Sequence, residues 1–104
     1  MFCAPIVMLE DFDWRLDPAQ LSPEMLRGET SFEIVEAQEA RCSLESQVMR
    51  FHSWSWFKAE FQPGDRLYEY SSVVCDGTFC SGTEGLAIVR EGQIVSAFVR
   101  SIWD

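Results

Sequence analysis

Apolar residues are densest in the last third of the chain. Residues 85–90 read Gly-Leu-Ala-Ile-Val-Arg and residues 93–101 read Gln-Ile-Val-Ser-Ala-Phe-Val-Arg-Ser, with Glu91-Gly92 between them. Two runs rich in β-branched residues joined by a short polar link containing glycine predict a β-hairpin. On the first arm Leu86 and Ile88 point one way, Ala87 and Val89 the other; on the second, Val95, Ala97 and Val99 oppose Ile94, Phe98 and Ile102. Both faces are apolar, so the hairpin belongs inside a sheet or beneath a helix, and the rest of the chain must wrap it. A third strand is expected at 66–73, with residues 81–85 as the loop that leads into the hairpin.

Upstream, the pattern predicts smaller elements. Residues 5–9 form a short apolar run that suits an opening or edge strand. Asp17-Pro18 has the form of an N-cap followed by proline at the first helical position, and Ser22-Pro23-Glu24 repeats it. With Arg27-Gly28 as a basic last turn and a stop, a short helix over 18–27 follows. Residues 31–36 are ambiguous, because Thr30 with Glu33 resembles a capping box whereas Phe32 and Ile34 alternate with Glu33. The alternation favours a strand there, with a further strand around 42–50. Trp54, Phe57, Lys58 and Phe61 then recur at helical spacing, and Pro63-Gly64 ends that helix.

Composition narrows the class. A chain of 104 residues with 47% hydrophobic residues and four tryptophans is globular, and at this size folding removes roughly 60–70% of the unfolded surface from water. Charge changes the picture more. Seventeen acids against eight bases give a net charge of −9, and ten of those acids lie in residues 1–50. Such a field repels phosphate backbones and anionic membranes and attracts basic partners. Residues 1–10 have no basic lead, acids follow at once, and no apolar run nears the roughly 20 residues that span a bilayer. A cytoplasmic location is expected.

The candidate chemistry is thin. Cys3 and Cys42 read as small core hydrophobes, while Cys75 and Cys80 bracket a turn, Cys-Asp-Gly-Thr-Phe-Cys. In a reducing compartment the last two are expected as free thiols; a bridge between them is the reading for an oxidising one. Zinc would need two further ligands, and neither Cys3, Cys42 nor His52 stands in a paired spacing, so no metal and no cofactor are expected. His52, the single histidine, sits between Phe51 and Ser53 and reads as a packed residue. There is no nucleophile elbow, and Lys58, the single lysine, stands in no phosphate loop.

Carboxylates around aromatic anchors are the stronger feature. Glu33, Glu36 and Glu39 recur at intervals of three, Glu10, Asp11, Asp13 and Asp17 form a second cluster, and Trp14, Trp54 and Trp56 are the large anchors that interfaces favour. These ten residues are the expected partner-binding set. Tryptophans at helical spacing have a core reading beside that one.

The run Pro63-Gly64-Asp65-Arg66-Leu67-Tyr68-Glu69-Tyr70-Ser71-Ser72, then Gly82 and Gly85, then Ala87-Ile88-Val89-Arg90-Glu91-Gly92-Gln93-Ile94-Val95, resembles the C-terminal part of a group of small bacterial proteins of unknown function. In that group a comparable strand leads through a glycine-framed loop into such a hairpin. This chain departs from the group's glycine-arginine-alanine-glycine frame, having Gly82-Thr83-Glu84-Gly85, and inserts Cys75 and Cys80. The resemblance implies a compact α+β domain and no established activity.

The sequence therefore predicts one α+β domain, a mostly antiparallel sheet covered by one or two short helices. Its expected function is protein binding rather than catalysis: an immunity-type inhibitor of a basic, nucleic-acid-handling toxin or nuclease, without direct nucleic-acid or membrane contact. A phage-encoded inhibitor of a bacterial defence complex, an anti-CRISPR-like nucleic-acid mimic, is the first alternative. A small enzyme or ligand-binding domain using His52 with Cys75 or Cys80 is the second. An unpaired sheet edge would allow a homodimer.

Overall fold

The computed structural model describes residues 13–39 and 52–103, and among these it is an α+β fold: a six-stranded antiparallel sheet with two helices. The expected hairpin is its centre. Strand β5 (Phe79–Arg90) turns into strand β6 (Gln93–Trp103) through Glu91 and Gly92, both at positive φ (52° and 80°). Two successive positive φ values give the turn whose twist matches that of the flanking strands. Leu86 lies opposite Phe98 and Ala87 opposite Ala97, and all four are fully buried, so both faces of the ribbon are covered.

Residues 81–85, expected as a loop, are instead the middle of β5. They pair on both sides, with Thr83 opposite Ile102 and Glu84 opposite both Ser101 and Ser71. Their glycines serve close packing. A Cβ on Gly85 would collide with the Phe98 carbonyl oxygen and lie 3.0 Å from the Tyr70 ring, which stands over the position.

Strand β3 (Arg66–Ser71) pairs with β5, and strand β4 (Val74–Asp76) continues in the same register, Ser71 opposite Glu84 and Val74 opposite Ser81. Between them Ser72 and Val73 pass over Gly82, whose φ is 137° and whose added Cβ would come within 2.6 Å of the Ser72 carbonyl oxygen. There the Ser72 hydroxyl stands in for a ladder group, accepting from the Thr83 N–H at 3.0 Å. Strand β1 (Arg15–Leu16) lies on β6 and strand β2 (Leu26–Thr30) on β3, giving the order β1-β6-β5-β3-β2 with β4 on β5.

Two expected elements change type. In place of a helix over 18–27 there are two 3₁₀ turns, Pro18–Gln20 and Pro23–Met25, followed by β2. Asp17 does cap the first turn, accepting from the Ala19 N–H at 3.0 Å. Pro23, however, has no N–H to continue a helix and holds Ser22 extended (φ −122°, ψ 159°), and Arg27-Gly28 lies in a strand beside β3 rather than at a helix end.

Residues 31–36, expected as a strand, open helix α1 (Phe32–Glu39). Its cap is Ser31, whose hydroxyl accepts from the Ile34 N–H at 3.1 Å, because Thr30 is already the last residue of β2. Val35 is buried and Ile34 is half exposed, which is the helical order rather than alternation.

Helix α2 (His52–Ala59) arises where the aromatic spacing placed it, and Trp54 and Phe57 are buried. Their rings meet Phe98 at 5.3 and 5.5 Å between centroids, and Phe32 of α1 meets Trp54, Phe57 and Phe61 at 5.6, 5.9 and 5.3 Å. This aromatic layer joins both helices to the hairpin. The expected strands at 5–9 and 42–50, and Cys3 and Cys42, lie outside the described residues.

Candidate functional site

Most expected partner-binding residues turn out to have duties inside the molecule. Asp13 takes the Arg15 guanidinium on both oxygens (2.7 Å at the closest), and the hydrogen bonds from Arg15 hold its carboxyl below the ordinary aspartate range against the opposing effect of burial. Arg15 also reaches Glu60 at 3.2 Å and lies 5.1 Å above the Trp56 ring. Asp17 is the cap already described. Glu36 joins the two helices, accepting from Trp54 Nε1 at 3.1 Å and from Lys58 Nζ at 3.0 Å. Desolvation pushes its pKa up, but those two donors outweigh it and the net direction is down.

Trp14 and Trp54 belong to the core, so neither ring is offered to a partner. Trp56 is 47% exposed and Glu33 is exposed. Glu10 and Asp11 lie outside the described residues, as do the side chains of Glu39 and His52.

A second fastening lies at the end of β5. Asp65 accepts from Arg90 Nε at 2.9 Å and Nη2 at 2.8 Å and from the Gln62 N–H at 2.9 Å, while Arg90 also donates to the Glu60 carbonyl at 3.1 Å. The carboxylate is almost wholly enclosed, and the hydrogen bonds from Arg90 lower its pKa despite the desolvation. Sequence reasoning missed this pair, because nothing in the spacing of residues 65 and 90 ties them until β3 and β5 are paired with Arg66 opposite Val89.

Cys75 and Cys80 form a disulfide, which corrects the expectation of free thiols. They are direct partners across β4 and β5 with Cα atoms 4.0 Å apart, so the register itself brings the sulfurs together. The bridged pair has no thiol to serve with His52 as a nucleophile or to bind a metal. Among the described residues, no cluster of three or more His, Cys, Asp or Glu side chains could hold a metal ion, and no helix is long and apolar enough to cross a membrane. Tyr70, buried in the sheet beside Glu84, has its phenol pushed up by desolvation despite a 3.0 Å hydrogen bond with Thr83.

The surface that stands out is the far end of the hairpin. Val74 is 70% exposed, Phe79 66%, Ile102 59% and Trp103 41%. Asp76 lies opposite Phe79, and Glu84 accepts from Trp103 Nε1 at 2.8 Å. Two signals for this region were present in the chain: Asp76-Gly77 between apolar residues is a hairpin signature, and no Lys or Arg occurs from Leu67 to Val89. The first was read only as a turn. Comparison with known protein families, with curated proteins and with solved structures finds no match.

Proposed function

We propose that this protein binds a basic protein and blocks it, as an immunity-type neutraliser of a nucleic-acid-handling toxin or nuclease. The observation that supports this reading is how the charges are used. Of the bases in the described residues, Arg15, Lys58, Arg66 and Arg90 are each held by a carboxylate, and Arg27 donates to the carbonyls of Glu24 and Ser71. Glu33, Glu69 and Asp76 form no salt bridge among the described residues. Among the described residues most of the positive charge is consumed internally while acids remain outward, so the chain's net −9 acts as a field on a partner rather than within the fold. Carboxylates would occupy the surface that such a partner reserves for phosphate, and rejection of acidic proteins follows from the same charges. The geometry serves a defence complex that handles nucleic acid equally well, and the captured partner distinguishes the two.

The test is capture from host lysate by the immobilised full chain, followed by kinetics with the purified partner. The expected partner is basic, loses its nucleic-acid activity at stoichiometric inhibitor, and associates more slowly as salt rises from about 50 to about 300 mM, because exposed charges are screened over that range. A neutral partner, or association indifferent to salt, sinks the reading.

A further inference from the structure

We propose that the disulfide-closed arm made by β4 and the outer end of β5 is the docking surface, and that it takes a basic protein segment carrying an apolar residue among its lysines and arginines. This rests on the reading given under Proposed function and names the face that does the work. The first observation is apolar exposure in one place. Val74, Asp76 and Phe79 stand on one side of the arm by alternation, since Val74 lies opposite Ser81 and Asp76 opposite Phe79; Ile102, opposite Thr83, continues that side at the base, whereas Trp103, opposite Gly82, lies on the other side. Large apolar side chains left this open in a small domain mark a contact surface when they gather, and three of the six exposed large hydrophobics among the described residues, Val74, Phe79 and Ile102, share that side.

Charge selects the occupant. Asp76 lies within the patch, and the bases that bound it in sequence, Arg66 and Arg90, are held by Glu29 and Asp65 at the opposite end of their strands. Arg100, the base of β6 closest in sequence to Ile102, has a partner of its own. An apolar surface carrying a carboxylate and free of Lys and Arg complements cationic groups around an apolar anchor; a second copy, net −9 itself, would bring like charges together, and a nucleic acid would bring phosphates.

Rigidity is the third observation. The arm is closed by the Cys75–Cys80 bridge, by a turn with Gly77 at φ 64°, and by the Ser72 bonds to Thr83, so little order is lost on binding.

The test is heteronuclear NMR of the full chain with three synthetic peptides of about twelve residues: Lys/Arg flanking Trp-Leu, Glu flanking Trp-Leu, and Lys/Arg flanking Ser-Gly. Amide shifts at 74–82 and 102–103 with the first peptide are expected, with the other two binding at least about ten-fold more weakly. The double variant V74S/F79S, with amides 85–99 unshifted as a check on its fold, should also lose about ten-fold. Shifts that map to the helices or to β2 overturn the arm but leave the binding reading standing. No binding by either cationic peptide at low salt overturns both. Shifts that depend on protein concentration without peptide make a second copy the occupant and overturn the proposal.

Discussion

Strand β5 passes through two environments as one strand, with register shifts against β6 at Glu84/Gly85 and Ile88/Val89 and a change of partner from β3 to β4. From Gly85 to Ile88 every residue is buried between β3 and β6 beneath the aromatic layer; from Phe79 to Ser81 the same strand is largely open to water. The inner half is held by apolar burial, with Phe98 against Trp54 and Phe57, and a fully buried side chain of that kind contributes about 1.5–3 kcal/mol. The outer half has no such layer and relies on local devices: a turn, a bridge and one serine hydroxyl. Strand geometry is therefore shared while stability is not, and the low-stability end is the one free to meet a partner.

The sharpest way to break this comparison is to truncate one aromatic in each half. Phe98→Ala is expected to cost about 3–5 kcal/mol, through lost burial and the cavity left among Trp54, Phe57 and Leu86. Phe79→Ala should fall within about 0.5 kcal/mol of wild type, as exposed substitutions do. Urea unfolding with a common slope measures both. Equal costs would show that the outer half is as much a part of the core as the inner.

The division between halves also explains what could be read from the chain. The inner hairpin was legible because burial on both faces leaves a continuous apolar signature, and α2 was legible because Trp54, Phe57 and Phe61 repeat at helical spacing. The helix expected over 18–27 failed because local signs of starting and stopping were read without asking whether Pro23 lets a helix pass. The expected strand at 31–36 failed because Phe32 and Ile34 look alternate until Val35, between them, proves to be the buried one. For the site, Glu36 is a carboxylate whose partners Trp54 and Lys58 become neighbours only in the fold, whereas Asp13 and Asp17 serve residues two positions on, Arg15 and Ala19. The exposed Val74 and Phe79 were missed because residues 75–80 read only as a turn between two cysteines, not as strands that present a face.

A smaller effect concerns the inner half alone. Asp65 has its pKa lowered in the folded state, so the stability it contributes is complete above the unfolded value of about 3.9 and is lost as pH falls through the lower folded value. Asp65→Asn should therefore destabilise at neutral pH, by less than Phe98→Ala, and the gap from wild type should close as pH is lowered from about 5 to about 2. Thermal unfolding across that range checks it. Because the bond holds Arg90 at the end of β5, the variant should loosen the Glu91-Gly92 turn and leave amides 74–81 unchanged. A gap that stays constant with pH would remove the ion pair from the account.

A small global effect is expected where the sequence reading was overturned. Replacing both Cys75 and Cys80 by serine removes the bridge from an arm whose register is already set by backbone pairing with Ser81 and Phe79. In the variant the arm is free to open by itself, so the global loss is capped by the free energy of that local opening and should stay below about 1 kcal/mol. The local effect is larger: amide exchange at 74–81 should accelerate at least about ten-fold while exchange at 85–88 and 96–99 is unchanged. A uniform acceleration would mean that the two halves of β5 open together, and the bridge would then be fastening the whole sheet rather than one end of it.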